Sequence, residues 1–373
     1  MAGVGTGGRS DWLDLLRALA ISLVVLRHGV YVPGFSAPES NLALPGYVIS
    51  VNGWLGVDLF FVLSGFLLSS QILRALQGRG SFDRRRFLVR RALRTLPTYF
   101  FVVLLLWIGF LQQSLGTSGV GDIHVLLVHL VFLNDYLGSG LLITLWSLAT
   151  EEKFYLLMAF AVPLLWRAGL TPLAIVVCLV FLGVVVARTS AALSNPADSY
   201  VEYFWRYRAP FHFAVDGLLL GVVAGAIRTC AGARAVVGRR AIGLGLLLML
   251  MLLSSKEWAA DAQPMWALLA VPLFALVSAV LVLAAPTLDL AIRHFRGAGV
   301  WRFLSMVSYP LYLVHYPAAQ LIAHWLEPRG QGLVGLLVYW SCYLLMSLIV
   351  AWVLHVLIER PGLRLRDRLT RGK

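Results

Sequence analysis

An arginine and a histidine share one face of the first strongly apolar segment of this chain. Arg17 and His28 lie about three turns apart on an α-helix of ~3.6 residues per turn, or roughly 16 Å along its axis. Ionisable side chains are costly inside a membrane and usually mark a binding site or a conduction path. The pair therefore predicts an anion held near the membrane surface and proton chemistry deeper in the membrane.

Carboxylates occur in two later apolar segments, at Asp58 and at Glu151 and Glu152. Asp58 is either a helix-start carboxylate, which the helix dipole favours, or a partner of His28 or of an arginine. Adjacent residues on a helix point ~100° apart, so the two glutamates are expected to have different partners, one an arginine and the other a cavity. The lysine that follows them could simply neutralise an acid.

A densely basic segment at 84–99 interleaves arginines with apolar residues. One interpretation is an amphipathic helix that lies on anionic lipid. The other is an anion site for a phosphorylated donor, because Arg90, Arg91 and Arg94 fall on one helical side and a nucleotide with several phosphates suits such a cluster. The two interpretations are compatible.

Two more segments carry ionisable side chains. Arg208 precedes Asp216 by about two helical turns, and Tyr312 and His315 lie together in a late apolar segment. A single histidine inside a membrane often makes only a helix-to-helix hydrogen bond. Several such groups in one chain favour a shared polar cavity, in which His315 is a second candidate for proton transfer.

The composition is that of a polytopic membrane protein. Hydrophobic residues make up 60% of the 373 residues and charged residues 13%, whereas about a quarter of a soluble protein is charged. The mean hydropathy is +0.81. The net charge of +13 comes from arginines concentrated in alternate loops, which argues against nucleic-acid binding. Three cysteines have neither metal-ligand nor disulfide spacing: Cys178, Cys230 and Cys342.

The apolar pattern predicts a single all-α membrane domain over 1–373 with about ten transmembrane helices. The first of these helices is predicted to stay in the protein and not to be cleaved as a signal peptide. Arginine bias predicts that both termini are cytoplasmic, with a short disordered N-terminus over 1–10 and a basic tail over 360–373. A run at 123–133 is too short to cross. The spans are predicted at 13–32, 48–73, 97–116, 143–166, 171–188, 209–227, 241–255, 265–285, 303–326 and 332–358.

Intramembrane ionisable groups fit three classes of protein. A proton-coupled transporter of a small or glycan-like substrate is one, but such folds often contain inverted repeats, and the sequence shows no such symmetry. A non-catalytic protein that binds lipid or glycan would not need so many buried charges. An enzyme with a serine nucleophile at Ser64 would lack the usual Gly-x-Ser-x-Gly context. An enzyme with a histidine base is favoured.

The ordered set of motifs resembles the acyltransferase type 3 family of integral membrane enzymes, over nearly the whole chain. One motif alone would be weak, whereas their joint order is specific. The resemblance rests on Arg17 with His28, the stretch at 56–66 that contains Asp58, Arg90-Arg91 with Arg94, Pro97 and Tyr99, Trp146-Ser147-Leu148 with Glu151, Glu152, Phe154 and Tyr155, Arg208 with Gly217, Ser308-Tyr309 with Tyr312 and His315, and Glu359-Arg360-Pro361.

The resemblance implies transfer of an acyl group, chiefly acetyl, from cytoplasmic acyl-coenzyme A to a hydroxyl group, usually on a sugar. Envelope glycans and macrolide antibiotics are both acceptors in this family, so the acceptor stays open, as does the oligomeric state. The protein is expected in the bacterial plasma membrane, in contact with lipid and without a metal or a permanently bound cofactor. Some relatives carry a further C-terminal esterase-like domain, which this chain is expected to lack.

The family's arginine and histidine fall on Arg17 and His28, which are then expected to be needed for activity. His28 would deprotonate the acceptor, oriented by Asp58 or Glu151, and Arg17 would contact the pantetheine or phosphate region of the donor. Two residues depart from the family pattern: Lys153 stands where a neutral amide is common, and His212 is not typical.

The remaining candidate residues divide into two groups. Arg90, Arg91 and Arg94 would bind the nucleotide phosphates of the donor from the cytoplasmic side. Residues expected to contact substrate are Glu152, Arg208, Tyr312 and His315.

Overall fold

The computed structural model describes residues 10–30, 45–112, 116, 118–231, 237–255, 264–292, 295–326 and 332–370. Within these ranges the ordered elements are all helices and none is a strand, which confirms the predicted all-α fold. Apart from Ser10, the N-terminal stretch that was predicted to be disordered lies outside the described residues, and so does the end of the tail at 371–373.

The helices follow one another with short connections. In chain order they are α1 (Asp11–Val30), α2 (Pro45–Val51), α3 (Gly56–Arg79), α4 (Arg84–Trp107), α5 (Ile123–Leu130), α6 (Trp146–Trp166), α7 (Leu170–Ser194), α8 (Asp216–Ala231), α9 (Arg239–Ser254), α10 (Ala267–Leu283), α11 (Ala285–Ile292), α12 (Ala298–Leu326), α13 (Gly332–Leu354) and α14 (Arg360–Thr370).

Three described stretches are long and apolar enough to cross a membrane by themselves, at Gly46–Arg79, Leu170–Ser194 and Val334–Thr370. A shorter apolar helix covers Ala267–Leu283. The chain is therefore an integral membrane protein, whereas ten crossings and cytoplasmic termini stay predictions. The apolar run at 123–133 forms the eight-residue helix α5, which is too short to span ~30 Å of hydrocarbon.

Two predicted elements differ from the structure. The third predicted span, 97–116, differs in its bounds, because its helix α4 already begins at Arg84 and continues through Pro97 to Trp107. Asp83 caps its start by accepting a hydrogen bond from the backbone N–H of Arg86 at 2.9 Å. The sixth predicted span, 209–227, is not one helix, because it contains a single turn at Phe211–Ala214 that is separate from α8. A π-helical turn at Phe204–Arg208 precedes this span.

Helices α3 and α8 approach each other very closely through small residues. A Cβ atom added to Gly65 would lie 2.0 Å from the carbonyl oxygen of Leu218, and one added to Gly221 would lie 2.3 Å from that of Val62. Gly225 meets the hydroxyl of Ser69 in the same way, at 2.1 Å. Small residues at four-residue spacing let the two backbones approach this closely. Such close packing is what stabilises a helix pair in a membrane, because lipid provides no hydrophobic force to press helices together.

Helix α1 is attached to α12 near its N-terminal end. Asp11 accepts hydrogen bonds from Arg302 at 2.6 and 2.8 Å, and Asp14 accepts one from Ser305 at 2.6 Å. Trp12 donates its indole N–H to the carbonyl of Leu281 at 2.7 Å. These contacts fix the rotation of α1 and therefore the direction in which its functional face points.

Replacement of Gly221 by valine should destabilise the protein strongly. The branched side chain would overlap the backbone of α3, and overpacking of this kind typically costs about 1–3 kcal/mol or more. Gly183→Val is the matched control, because no atom lies within 4 Å of a Cβ at that position. The measurement is the thermal melting temperature of each purified variant in detergent. Equal melting temperatures for the two variants would contradict the close approach of α3 and α8.

Candidate active site

Three cavities adjoin one another through shared walls. The basic cavity, of about 380 Å³, is lined by Leu67, Gln71, Arg74, Arg90, Arg91, Arg94 and Arg366. The central cavity, of about 90 Å³, shares Leu67, Arg91 and Arg94 with it. The histidine cavity, of about 80 Å³, contains His28 and shares Val57 and Tyr312 with the central cavity. Most of the predicted polar side chains thus line one row of cavities, namely Arg17, His28, Arg90, Arg91, Arg94, Glu151, Arg208 and Tyr312.

The basic cavity confirms that the three arginines of α4 point to one side. Arg90, Arg91 and Arg94 line it together with Arg74 of α3. Arg91 also lies over the ring of Tyr155, 5.1 Å from its centroid. Guanidinium groups gathered from different helices are well suited to bind a ligand with several phosphates.

Arg17 lies in the central cavity, beside Arg91 and Arg94. Its Nη1 atom is 3.2 Å from the hydroxyl of Ser305 and 3.4 Å from a carboxylate oxygen of Asp14. The carboxylate comes from the preceding turn and the hydroxyl from α12, so Arg17 is held from two sides. Its position between the basic cavity and the histidine cavity agrees with the predicted contact to an anionic or amide-rich ligand.

Glu151 also lines the central cavity. Its carboxylate accepts hydrogen bonds from Ser64 at 2.9 Å and from Tyr155 at 2.5 Å. Ser64 is thus hydrogen-bonded to a carboxylate, with no described histidine beside it. These contacts place Glu151 near the arginines and not beside His28.

His28 makes two hydrogen-bond contacts through Nδ1. This atom is 2.9 Å from the carbonyl oxygen of Val24 and 3.1 Å from Nε2 of His315. The Nδ1 atom of His315 is in turn 3.1 Å from the carbonyl of Leu311. Because a carbonyl oxygen only accepts, both neutral rings carry their proton on Nδ1. No described residue hydrogen-bonds to Nε2 of His28, so this nitrogen keeps its lone pair. The side chain of His28 lines the histidine cavity.

The prediction that Asp58 or Glu151 orients His28 is therefore wrong, since the ring is hydrogen-bonded to Val24 and His315 and to neither carboxylate. Asp58 is fully buried and accepts two hydrogen bonds of 2.9 Å from Nη2 of Arg208. A carboxylate inside a membrane needs such a partner, since an unpaired buried charge is very costly. Of the two interpretations of Asp58 that involved a partner, the pairing with an arginine is the one observed.

Arg208 is buried among aromatic rings and is not open to solvent. It is 1% exposed, and its guanidinium lies 5.0 Å from the ring centroid of Trp146 and 5.8 Å from that of Trp54. It lines the histidine cavity, but its guanidinium already forms an ion pair with the Asp58 carboxylate. Asp216, which follows Arg208 by about two helical turns in the sequence, pairs with Arg188 at 2.9 Å.

Glu152 and His315, both predicted to contact substrate, line none of the three cavities. Glu152 accepts a hydrogen bond from Thr95 at 2.6 Å. His315 is completely buried against His28. The two adjacent glutamates have different partners, as predicted, but these partners are hydroxyl groups, and the arginine predicted for one of them is not observed. Lys153 does neutralise an acid, which is Asp135 at 2.5 Å.

Tyr312 stands between the central and histidine cavities and lines both. Its hydroxyl is 2.5 Å from that of Ser147 and donates to the carbonyl of Thr144 at 3.0 Å. The ring is thereby fixed across the boundary between the two cavities. Of the four residues predicted to contact substrate, Tyr312 has the position that best fits that prediction.

Some residues that shape the site were not singled out from the sequence. Asp14 precedes Arg17 by one helical turn and holds its guanidinium, and this i, i+3 spacing was available as a signal. Arg27 lines the histidine cavity and donates to the carbonyl of Val51 at 2.7 Å. Arg366 reaches the basic cavity from α14, and nothing in the spacing of the tail indicates this contact.

Comparisons with known proteins identify a family and several relatives that this chain resembles in sequence. A family model described as an acyltransferase domain matches residues 10–356. The peptidoglycan O-acetyltransferase OatA of Listeria monocytogenes is 32% identical over 157 residues, which are 39% of this chain and 23% of that protein. YrhL of Bacillus subtilis, provisionally named a peptidoglycan O-acetyltransferase, is 30% identical over 149 residues, which are 35% of this chain and 24% of YrhL. The chain thus matches about a quarter of the length of these relatives, and no solved structure matches it.

Removal of one partner from the Asp58–Arg208 pair should destabilise the protein, whatever its effect on activity. Asp58→Asn leaves the guanidinium buried without a counter-charge, a change that typically costs about 3–5 kcal/mol. The double variant Asp58→Asn/Arg208→Gln should recover part of this loss. The control is Glu202→Gln, which breaks the exposed pair with Arg206 and should cost less than about 1 kcal/mol. Thermal melting in detergent measures all three, and a fully stable Asp58→Asn variant would contradict the structural role.

Proposed function

The chain belongs to the acyltransferase 3 family, and from this premise we propose that it is a membrane O-acetyltransferase. It moves an acetyl group from acetyl-coenzyme A to a hydroxyl group of a carbohydrate. The observation that carries the proposal is the row of cavities. It begins at an arginine cluster and ends at His28, whose Nε2 atom has no hydrogen-bond partner among the described residues. The names of the curated relatives support acetyl transfer.

The donor enters from the arginine end. The nucleotide phosphates bind to Arg90, Arg91 and Arg94 in the basic cavity, where charge-assisted hydrogen bonds are strong. The pantetheine arm then extends through the central cavity beside Arg17. The thioester arrives near Tyr312, at the boundary with the histidine cavity. In this arrangement binding energy from the remote phosphates positions the reacting group.

His28 acts as the general base. Its Nε2 atom takes the proton of the acceptor hydroxyl while the oxygen attacks the thioester carbonyl, forming the new C–O bond. Collapse of the tetrahedral intermediate breaks the C–S bond and releases coenzyme A, whose sulfur receives the proton from the imidazolium. The products are an acetyl ester and free coenzyme A. Because a thioester is already activated, this step requires a base and a positioned donor.

The acceptor reaches His28 from the other end of the row. The walls there are rich in aromatic side chains, with Trp54, Tyr200 and Phe204 beside Arg27. Apolar walls with a few fixed polar groups are typical of small-molecule sites. Two relatives are named for peptidoglycan, so an envelope glycan is the acceptor proposed here, with a macrolide as the second acceptor class to be tested.

The orientation in the membrane follows from the same chemistry. Acyl-coenzyme A is a cytoplasmic metabolite, so the basic cavity faces the cytoplasm of a bacterial cell and both termini lie on that side. The arginine-rich loops of the sequence agree with this orientation, because positively charged loops stay inside.

The first test is acetyl transfer by the purified protein in lipid nanodiscs. Radiolabelled acetyl-coenzyme A and a glycan or macrolide acceptor should give a labelled ester and free coenzyme A. His28→Ala should lower the rate about 10²–10⁴-fold, as expected for loss of a general base. His324→Ala is the matched control, since His324 is an exposed histidine of α12. A folded His28→Ala variant with normal turnover would remove the base from this mechanism.

His315 should affect the rate as a positioning residue. Its Nε2 atom accepts from Nδ1–H of His28, so His315→Gln, which keeps an acceptor, should retain much more activity than His315→Leu. The fall should be in kcat, with the KM for acetyl-coenzyme A unchanged, because His315 lines none of the three cavities. Equal loss in the two variants, or a change confined to KM, would contradict this role.

A further inference from the structure

The basic cavity receives one arginine from outside the segment that the family model matches. Arg366 lines this cavity together with the arginines of α3 and α4. It belongs to α14, at Arg360–Thr370, whereas the family match ends at residue 356. The four other arginines of the cavity all precede residue 100. The C-terminal helix therefore supplies a wall of the site that the matched region lacks.

Helix α14 is held firmly against α4. A Cβ atom added to Gly362 would lie 2.8 Å from the carbonyl oxygen of Leu93, so the two backbones nearly touch at this point. At the last residue of the helix, Arg90 donates a hydrogen bond to the hydroxyl of Thr370 at 2.8 Å. The position of Arg366 beside the basic cavity is thus fixed by contacts on both sides of it.

A single carboxylate among the described residues is paired with the guanidinium groups of this cavity. Asp367 accepts hydrogen bonds from Arg366, at 2.9 Å from Nε and 2.8 Å from Nη2, and lies 4.0 Å from Nη1 of Arg90. The side chain of Asp367 is 47% exposed and that of Arg366 is 20% exposed. Water can therefore solvate the carboxylate readily if another anion takes its place.

We propose that Arg366 binds a phosphate group of the nucleotide donor and that Asp367 occupies this guanidinium until the phosphate replaces it. The inference rests on the proposed function for the identity of the donor, since the site takes the nucleotide end of coenzyme A. Exchange is favourable because a phosphate carries more charge and more acceptor oxygens than a carboxylate, and Arg binds both in a bidentate manner. The C-terminal helix thereby becomes part of the donor site.

The proposal requires two neighbouring substitutions to act in opposite directions. Arg366→Ala removes a ligand of the phosphate and should weaken binding. Asp367→Asn removes the competing carboxylate and should strengthen binding. A helix with a merely structural role would respond to both changes with the same sign. Arg364→Ala and Arg368→Ala are matched controls, because both arginines lie on α14, both are exposed, and neither lines the basic cavity.

The experiment is calorimetric titration of the purified protein of 373 residues, in nanodiscs of phosphatidylcholine, with adenosine 3′,5′-bisphosphate as the probe. Arg366→Ala should weaken its affinity about fivefold to tenfold, and Asp367→Asn should strengthen it about threefold, while the two controls should stay within about twofold. The weakening caused by Arg366→Ala should shrink at high salt, since the cavity is open to ions.

Three results would overturn the inference. The first is no binding of the probe to the unsubstituted protein, and the second is an effect of Arg366→Ala no larger than that of Arg364→Ala. The third is loss of probe binding in discs that contain phosphatidylglycerol at equal ionic strength, which would assign the cavity to a lipid headgroup. Acetyl transfer is measured separately: tight, Arg366-dependent binding without any transfer would overturn the proposed function and leave the inference standing.

Discussion

The attachment of α1 to α12 is the interaction on which the site depends. At one end of α1, Asp14 and Ser305 together hold Arg17. Towards the other end, His28 meets His315 of the same partner helix. One helix pair therefore positions both the proposed anion-binding group and the proposed base, and their separation is that of a rigid helix. A rotation of α1 would misplace both groups at once, which explains why so many polar contacts fix this interface.

Buried charges in this protein serve two separate purposes. The pairs Asp58–Arg208 and Arg188–Asp216 are closed, with each guanidinium bound by a carboxylate and shielded from lipid. The arginines of the basic cavity are arranged differently, because within the described residues only two of them, Arg90 and Arg366, form an ion pair, and both pair with the partly exposed Asp367. Arginines that are already paired with a carboxylate hold helices together. Arginines that outnumber the carboxylates beside them are available to bind an anionic ligand.

The sequence predicts the components of this site better than their contacts. Helical periodicity places Arg17 with His28 and groups Arg90, Arg91 and Arg94, because residues on one helix keep their spacing in any tertiary structure. The partner of Asp58 depends on the π-helical turn at Phe204–Arg208 and on how α3 meets α8, and neither follows from spacing. The imidazole contact of His28 joins residues far apart in the chain, and Arg366 reaches the cavity only because α14 folds back along α4.

The ring of Tyr312 has a consequence for the length of the group that is transferred. It is tied to Ser147 and Thr144 and stands between the central and histidine cavities. In the proposed mechanism the thioester would lie beside this ring, in a central cavity of about 90 Å³. A long acyl chain there would have to fold back or force the ring from its hydrogen bonds. If the donor binds as proposed, Tyr312 would therefore limit the length of the transferred group and favour short acyl groups over long ones.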